Sequence, residues 1–278
     1  MYLCYPPVEH VMPIPKQETY QNLRDSYSLY YRTLAGGYET KYGVERCFSG
    51  LILPFQNAVF GYPSAPAQWD LCIDDQLQFS QNADRRFVWY LGETTPQAFI
   101  DRLTEKGFSD VGIFRAVMGP LDHLTPPPLL PVGYSLHRVE DELALAEFND
   151  LVCATFGIPE QDKASHLAFL WKAMQTTPPL MVHWVVRKEG KVVSTLSTQI
   201  HGDLVSFWNG ATLSEERRKG LSTALRQLAL QDASARGCTL GASYLMSEGL
   251  AFGICSKLGF ETKWQIKVFL SPPIQINK

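Results

Sequence analysis

The sequence predicts an α/β protein in two halves, each a succession of strands and helices, divided by a proline-rich break. Three observations carry this reading. Strand-like apolar runs alternate with stretches of helical spacing along most of the 278 residues. Residues 121–131 hold four prolines in their last six positions, a composition that excludes helix and central strand and fits a semi-rigid linker. A strand pattern also recurs. Lys106-Gly107-Phe108 opens a strand ending Gly119-Pro120, Leu258-Gly259-Phe260 opens one ending Ser271-Pro272, and the matching glycines and prolines stand 152 residues apart. The expected boundaries are residues 1–120, 121–131 and 132–278.

Taken in order, residues 1–15 are proline-rich and extended. A helix is expected over 17–34, with tyrosines at helical spacing and Gly36-Gly37 at its end. Residues 47–53 and 58–62 read as a hairpin turned by Pro54–Asn57. A short helix over 73–82 follows, then a strand over 86–91. Next comes a helix over 96–105 with Phe99, Ile100 and Leu103 inward, and a strand over 108–118. Beyond the linker the spacing predicts a strand over 134–139 and helices over 143–156 and 160–174. Three strands over 181–187, 192–200 and 204–213 are joined by short turns at Gly190 and Gly202. A helix ending before Gly237, a strand over 239–246, a helix over 248–258 and a strand over 261–270 complete the chain.

Composition narrows the function. With 45% apolar and 19% charged residues the chain can bury a sizeable core without metals or disulfides. A net charge of −3 argues against a nucleic-acid partner. The six cysteines are scattered with no CxxC pair, which reads as reduced buried thiols and not as a metal site. No apolar run of about 18 residues predicts a membrane span. The first residues lack the basic-then-apolar order of a secretory signal, so the expected location is cytoplasmic.

The stretch that carries chemistry is Arg217-Arg218-Lys219-Gly220-Leu221-Ser222-Thr223, between an apolar strand and a helix whose inner face holds Leu221, Ala224, Leu225 and Leu228. A helix start leaves unpaired N–H groups and partial positive charge, which suits an anion. Gly220 lets a phosphate approach the backbone, the three basic residues add charge, and small Ser222 and Thr223 leave room. A basic helix start is also an ordinary solvated one, so context has to decide.

That context resembles the GNAT superfamily of N-acetyltransferases. Arg217 to Ser222 is similar to the family's acyl-CoA motif (Gln or Arg, two residues, Gly, one residue, Gly or Ala), with Ser222 replacing the last small residue. Cys255-Ser256-Lys257-Leu258-Gly259-Phe260 resembles its helix-ending Tyr-x-Lys-Leu-Gly-Phe. The resemblance covers about residues 132–272. It implies mixed, mostly antiparallel sheets flanked by helices, and with the internal repeat it makes the N-terminal half a degenerate copy that lacks the loop. It also implies direct transfer of an acetyl or related acyl group from acetyl-CoA, or another acyl-CoA, to a small-molecule or peptide amine. The backbone of Ala211, Thr212 and Leu213 would meet the pantetheine arm. The amides of the loop, from Arg218 to Thr223 with Arg217 beside them, would hold the pyrophosphate, and Ser247 would stand near a cofactor-contacting position.

The resemblance leaves acid and base open. Cys255 occupies the position where many members place a proton-donating tyrosine, and Tyr244 is a substitute. Glu248 lies at the strand-to-helix switch. Glu215 and Glu216 are expected to face solvent, and His183 and His201 titrate in a useful range unless buried. Trp184, Phe207 and Trp208 are candidates to line the acceptor cleft. Two other readings stay open: an inactive CoA-binding or regulatory protein, and a structural interaction module.

Overall fold

The computed structural model describes residues 25, 28–30, 37–122, 124–246 and 249–274, to which every structural statement below refers. The chain falls into two units, each assembled from separate segments. One, here the C-terminal unit, contains Val117–Ser243 and Gly249–Glu261. The other, the N-terminal unit, contains the described residues of 28–116, 244–246 and 262–274. The sequence boundary assigned everything after 132 to one half; by packing, the last strand joins the other.

In the C-terminal unit the order is β6 (Tyr134–Arg138), α3 (Glu142–Phe156), α4 (Glu160–Gln175), β7 (Met181–Lys188), β8 (Lys191–His201), β9 (Leu204–Thr212), α5 (Leu221–Ala235), β10 (Leu240–Met246) and α6 (Leu250–Lys257). Strands β7 to β9 form an antiparallel meander, β6 pairs antiparallel with β7, and β10 lies parallel to β9. Tight turns make the meander possible: Glu189 and Gly190 both take positive φ, at 48° and 83°, as a two-residue hairpin of matching twist requires. Asp141 starts α3 by accepting the Ala144 N–H at 2.8 Å, and Gly157 ends it in the left-handed region. The helices bury Leu145, Phe148, Phe169, Leu170, Leu225 and Leu230.

In the N-terminal unit the order is β1 (Gly37–Lys41), β2 (Val44–Phe48), β3 (Asn57–Phe60), α1 (Trp69–Ala83), β4 (Val88–Gly92), α2 (Gln97–Glu105) and β5 (Ser109–Pro120), the last four residues of β5 falling in the C-terminal unit. Strands β1 to β3 are antiparallel and β4 runs parallel to β3. Its sheet is extended by the chain's last strand, β11 (Glu261–Leu270), which pairs antiparallel with β4 and sets Val268 opposite Tyr90. Ser271 locks that end: its N–H donates to the Phe87 carbonyl at 3.0 Å and its Oγ accepts the Phe87 N–H at 3.1 Å. Trp89 packs edge-on to Phe99 and Phe108 at the centre of an aromatic core.

Three strands, helix, strand, helix, strand is thus the order from β1 to β5 and again from β7 to β11. The same cap closes α2 and α6. Gly107 and Gly259 take φ of 87° and 84°, and the next N–H, of Phe108 and of Phe260, reaches back to Leu103 and Cys255, each at 3.0 Å.

Most elements fall where the sequence places them, within a few residues. The strand β1 was not expected, and β2 starts and ends earlier than the apolar run suggests. The expected helix over 17–34 lies largely outside the described residues; Ser28–Tyr30 within it are helical. No helix among the described residues is long and apolar enough to cross a membrane.

Candidate functional site

The site begins with a strand that loses its neighbour. Strand β10 pairs with β9 only from Leu240↔Leu204 to Ala242↔Ser206, while β9 runs on to Thr212. A bulge lies in this outer part: Thr195 of β8 faces Ala211 and Ser197 faces Trp208, so Asn209 and Gly210 together oppose Leu196. Asn209 takes φ of 50° and is pinned twice, its Nδ2 donating to Ser197 Oγ at 3.1 Å and its carbonyl accepting from Thr195 Oγ1 at 2.9 Å. The Leu213 N–H donates to the Val193 carbonyl at 3.1 Å, so that amide is committed to β8. The Ala211 carbonyl accepts Ser194 Oγ at 3.0 Å.

A 3-10 turn, Ser214–Glu216, then leads into the basic loop. Arg218 and Gly220 both have positive φ, 63° and 78°, which turns the backbone sharply into α5. Gly220 is the helix N-cap, and no side chain caps the end. The first intrahelical bond is Ala224 N–H to Gly220 O at 2.9 Å, so the amides of Leu221, Ser222 and Thr223 precede the ladder. A Cβ on Gly220 would meet nothing within 4 Å, so the mouth of the loop is open. Arg217, Arg218, Lys219 and Gly220 are exposed; Ser222 and Thr223 are half-buried and Leu221 is buried against the core.

Behind the loop sits a brace that sequence spacing did not reveal. Glu216 does not face solvent; it is 5% exposed. Its carboxylate accepts Lys219 Nζ at 2.7 Å, Lys188 Nζ at 3.0 Å and the Tyr134 hydroxyl. Lys219 first, then Tyr134 and Lys188, stabilise the ionised form and pull this carboxyl down to about 2. The Lys219 ammonium is therefore neutralised from behind, while Arg217 and Arg218 remain as the outward cations of the loop. Arg217 Nε also donates to the Thr212 carbonyl at 3.3 Å, which ties the loop to the end of β9.

The acid and base candidates divide. Cys255 is buried on α6, and burial pushes its thiol up while Arg226 opposes that. Tyr244 is half-buried on β10 and belongs to the N-terminal unit. Ser247 and Glu248 lie outside the described residues. His183 is fully buried with Nδ1 2.7 Å from Ser197 Oγ, and desolvation pushes it down to about 3. Such an imidazole stays neutral and is too weak a base for an ammonium at neutral pH. Glu215 is exposed at the rim, and His201 is half-buried at the far end of β8. Trp184 and Phe207 are buried and Trp208 is half-buried, so the first two act as core.

Arg226 was overlooked altogether. It lies on α5 and is only 3% exposed. Its guanidinium lies 5.4 Å from the Phe207 ring centre, donates to the Ser222 carbonyl at 3.3 Å and to Ser222 Oγ, and sits beside Cys255. A Cβ on Gly210 would come within 3.3 Å of Arg226 Nη2. Three parts of the site thus converge on this side chain: the bulge, the helix start and α6.

Comparison with known proteins bears on the fold. Residues 145–247 match the family model described as the acetyltransferase (GNAT) family. No curated protein matches the chain. Among solved structures, a GCN5-related N-acetyltransferase from Kribbella flavida superposes with a TM-score of 0.68 at 18% identity, over 90% of this chain and 95% of that one. One from Sphaerobacter thermophilus gives 0.62 at 16%, over 84% and 78%. A tandem GNAT protein from the clavulanic acid biosynthesis pathway gives 0.58 at 12%, over 84% and 79%. The chain has the mixed α/β fold of these proteins, and its residues 145–247 are similar to the acetyltransferase (GNAT) family.

Proposed function

We propose that the C-terminal unit transfers an acetyl or related acyl group from acyl-CoA directly to an amine on a small molecule or peptide, and that the N-terminal unit is a degenerate copy of the same fold. The observation that carries the reading is the open, uncapped start of α5 beside the outer part of β9. Residues of this site fit the cofactor. The N–H groups of Leu221, Ser222 and Thr223, with the positive end of the helix dipole, suit a pyrophosphate, and Arg217 and Arg218 add charge from outside. The edge of β9 from Phe207 to Thr212, past its last pairing with β10, offers backbone groups to a chain of amides. A bound thioester would supply an acyl carbon activated for attack.

What remains for the protein is positioning, worth up to roughly 7–11 kcal/mol in effective molarity. The bulge held by Ser197 and Thr195 fixes the backbone against which an acyl group would be set. Buried His183 is no base, so the proton of the attacking amine leaves through water or another group. The deep burial of Cys255 favours a second reading, a domain that binds the cofactor without turnover.

The test is release of free thiol from acetyl-CoA in the presence of a broad panel of amines, for wild type and Thr223→Asp. An acid in the first turn of a helix is favourable, so this variant should fold while repelling a phosphate. Thiol release by wild type and not by the variant supports acyl transfer. Binding without release against every amine would favour the second reading.

A further inference from the structure

Arg226 is a buried cation without a buried anion. It is 3% exposed, and among the described residues it forms no ion pair with a carboxylate. Its hydrogen bonds go to Ser222, and its Nε has no partner. Burial pushes its pKa down, while the neighbouring Cys255 thiol favours the charge. Keeping an ionised group in such surroundings costs several kcal/mol unless something compensates it. A leucine would fill this face of α5 without that cost. Its neighbours define where a compensating charge would come from. Ser222 belongs to the loop assigned above to the phosphates, Gly210 to the bulge assigned to the acyl group, and Cys255 to the helix on the same side.

We infer that Arg226 is a catalytic cation that holds the departing CoA sulfur as a thiolate, with Ser222 and Cys255 orienting its guanidinium. This rests on the acyl-transfer reading above. In the step it serves, the amine nitrogen forms the new C–N bond. The C–S bond breaks with its electron pair passing to sulfur, and the amine proton goes to water. No residue need protonate the sulfur before release; water does so afterwards. A fixed guanidinium in a water-poor site stabilises such a developing charge without reorganising. The missing tyrosine then has a replacement of a different kind: a charge in place of a proton.

The test reads the sulfur itself. Free CoA is added to the intact protein, and thiolate absorbance near 240 nm is followed from pH 6 to 10 as a difference against protein alone. Three of the buried cysteines are silent in the lower part of that range, because burial pushes Cys72 and Cys238 up to about 12 and Cys153 to about 11. The expected result is a bound CoA thiol titrating at least one unit below free CoA. That shift should be absent in Arg226→Met and partly kept in Arg226→Lys. Bound CoA whose thiol titrates in wild type as it does in free solution overturns the inference and leaves acyl transfer standing. No binding of CoA overturns both. Because the wild-type titration decides alone, a variant that fails to fold does not rescue the idea.

Discussion

Phe260 occupies the space that any side chain on Gly241 would need. A Cβ built on Gly241 lies 2.4 Å from Phe260 Cζ and 3.0 Å from Leu230 Cδ2. Phe260 is itself held by the Cys255 carbonyl and stacks with Phe207, ring centres 6.1 Å apart. The cap that ends α6 is therefore wedged against the start of β10, where that strand still pairs with β9. Gly241→Ala should cost about 1–3 kcal/mol of stability through overpacking. Phe260→Leu in the same chain should recover part of it, and urea melts of the two single variants and the double variant measure that coupling.

Gly220 presents the opposite case, with free space and a constrained backbone. Its φ of 78° is costly for any residue with a Cβ, although a methyl group there would touch nothing. Gly220→Ala should lower stability by about 1 kcal/mol and weaken acetyl-CoA binding, as read by melts with and without the ligand.

The Glu216 brace makes the loop sensitive to acid. Its folded pKa, about 2, lies below that of an unfolded glutamate, so its contribution is complete above about pH 5 and fades as pH falls toward 2. Glu216→Gln should lower the melting temperature at pH 7, and the gap from wild type should close as the pH is lowered through that window. A gap that persists unchanged at pH 2.5 would contradict the assignment.

Two buried histidines act at higher pH. Desolvation lowers His183 to about 3 and His166 to about 4, while both titrate near 6.5 in the unfolded chain. The unfolded state therefore takes up protons first, and stability is full above pH 6.5 and falls below it. The slope reaches about 1.4 kcal/mol per pH unit for each histidine. Chemical denaturation between pH 5 and 6.5, before most carboxylates respond, should give a slope that His183→Gln reduces by about half. The same variant should leave the pH dependence of any acyl transfer unchanged, since a neutral core imidazole is not the base.

How much of this was readable in the sequence follows from the range of the forces involved. The Gly220 turn, the Gly259-Phe260 cap and the paired halves are local signals, set by one residue's φ or by a short apolar period. The place of β11 is not local. Nothing in Glu261–Leu270 names its partner, and only folding shows that Val268 lies opposite Tyr90. The Asn209-Gly210 bulge hides inside an apolar strand because its cause is pinning by Thr195 and Ser197 of the neighbouring strand. A charged residue beside a loop reads as solvated, yet Lys219, Lys188 and Tyr134 hold Glu216 out of water, and nothing in the helical spacing singles out Arg226. Both residues fall at the site, where burying a charge has a use that stability alone does not explain.

The central claim is that an acyl-CoA binds on the amides at the start of α5, and calorimetric titration of acetyl-CoA into wild type and Thr223→Asp tests it most directly. One site per chain in wild type, lost or weakened at least tenfold in a variant that melts no lower than wild type, is the predicted result. No heat and no binding in wild type, or equal affinity in both proteins, would contradict it.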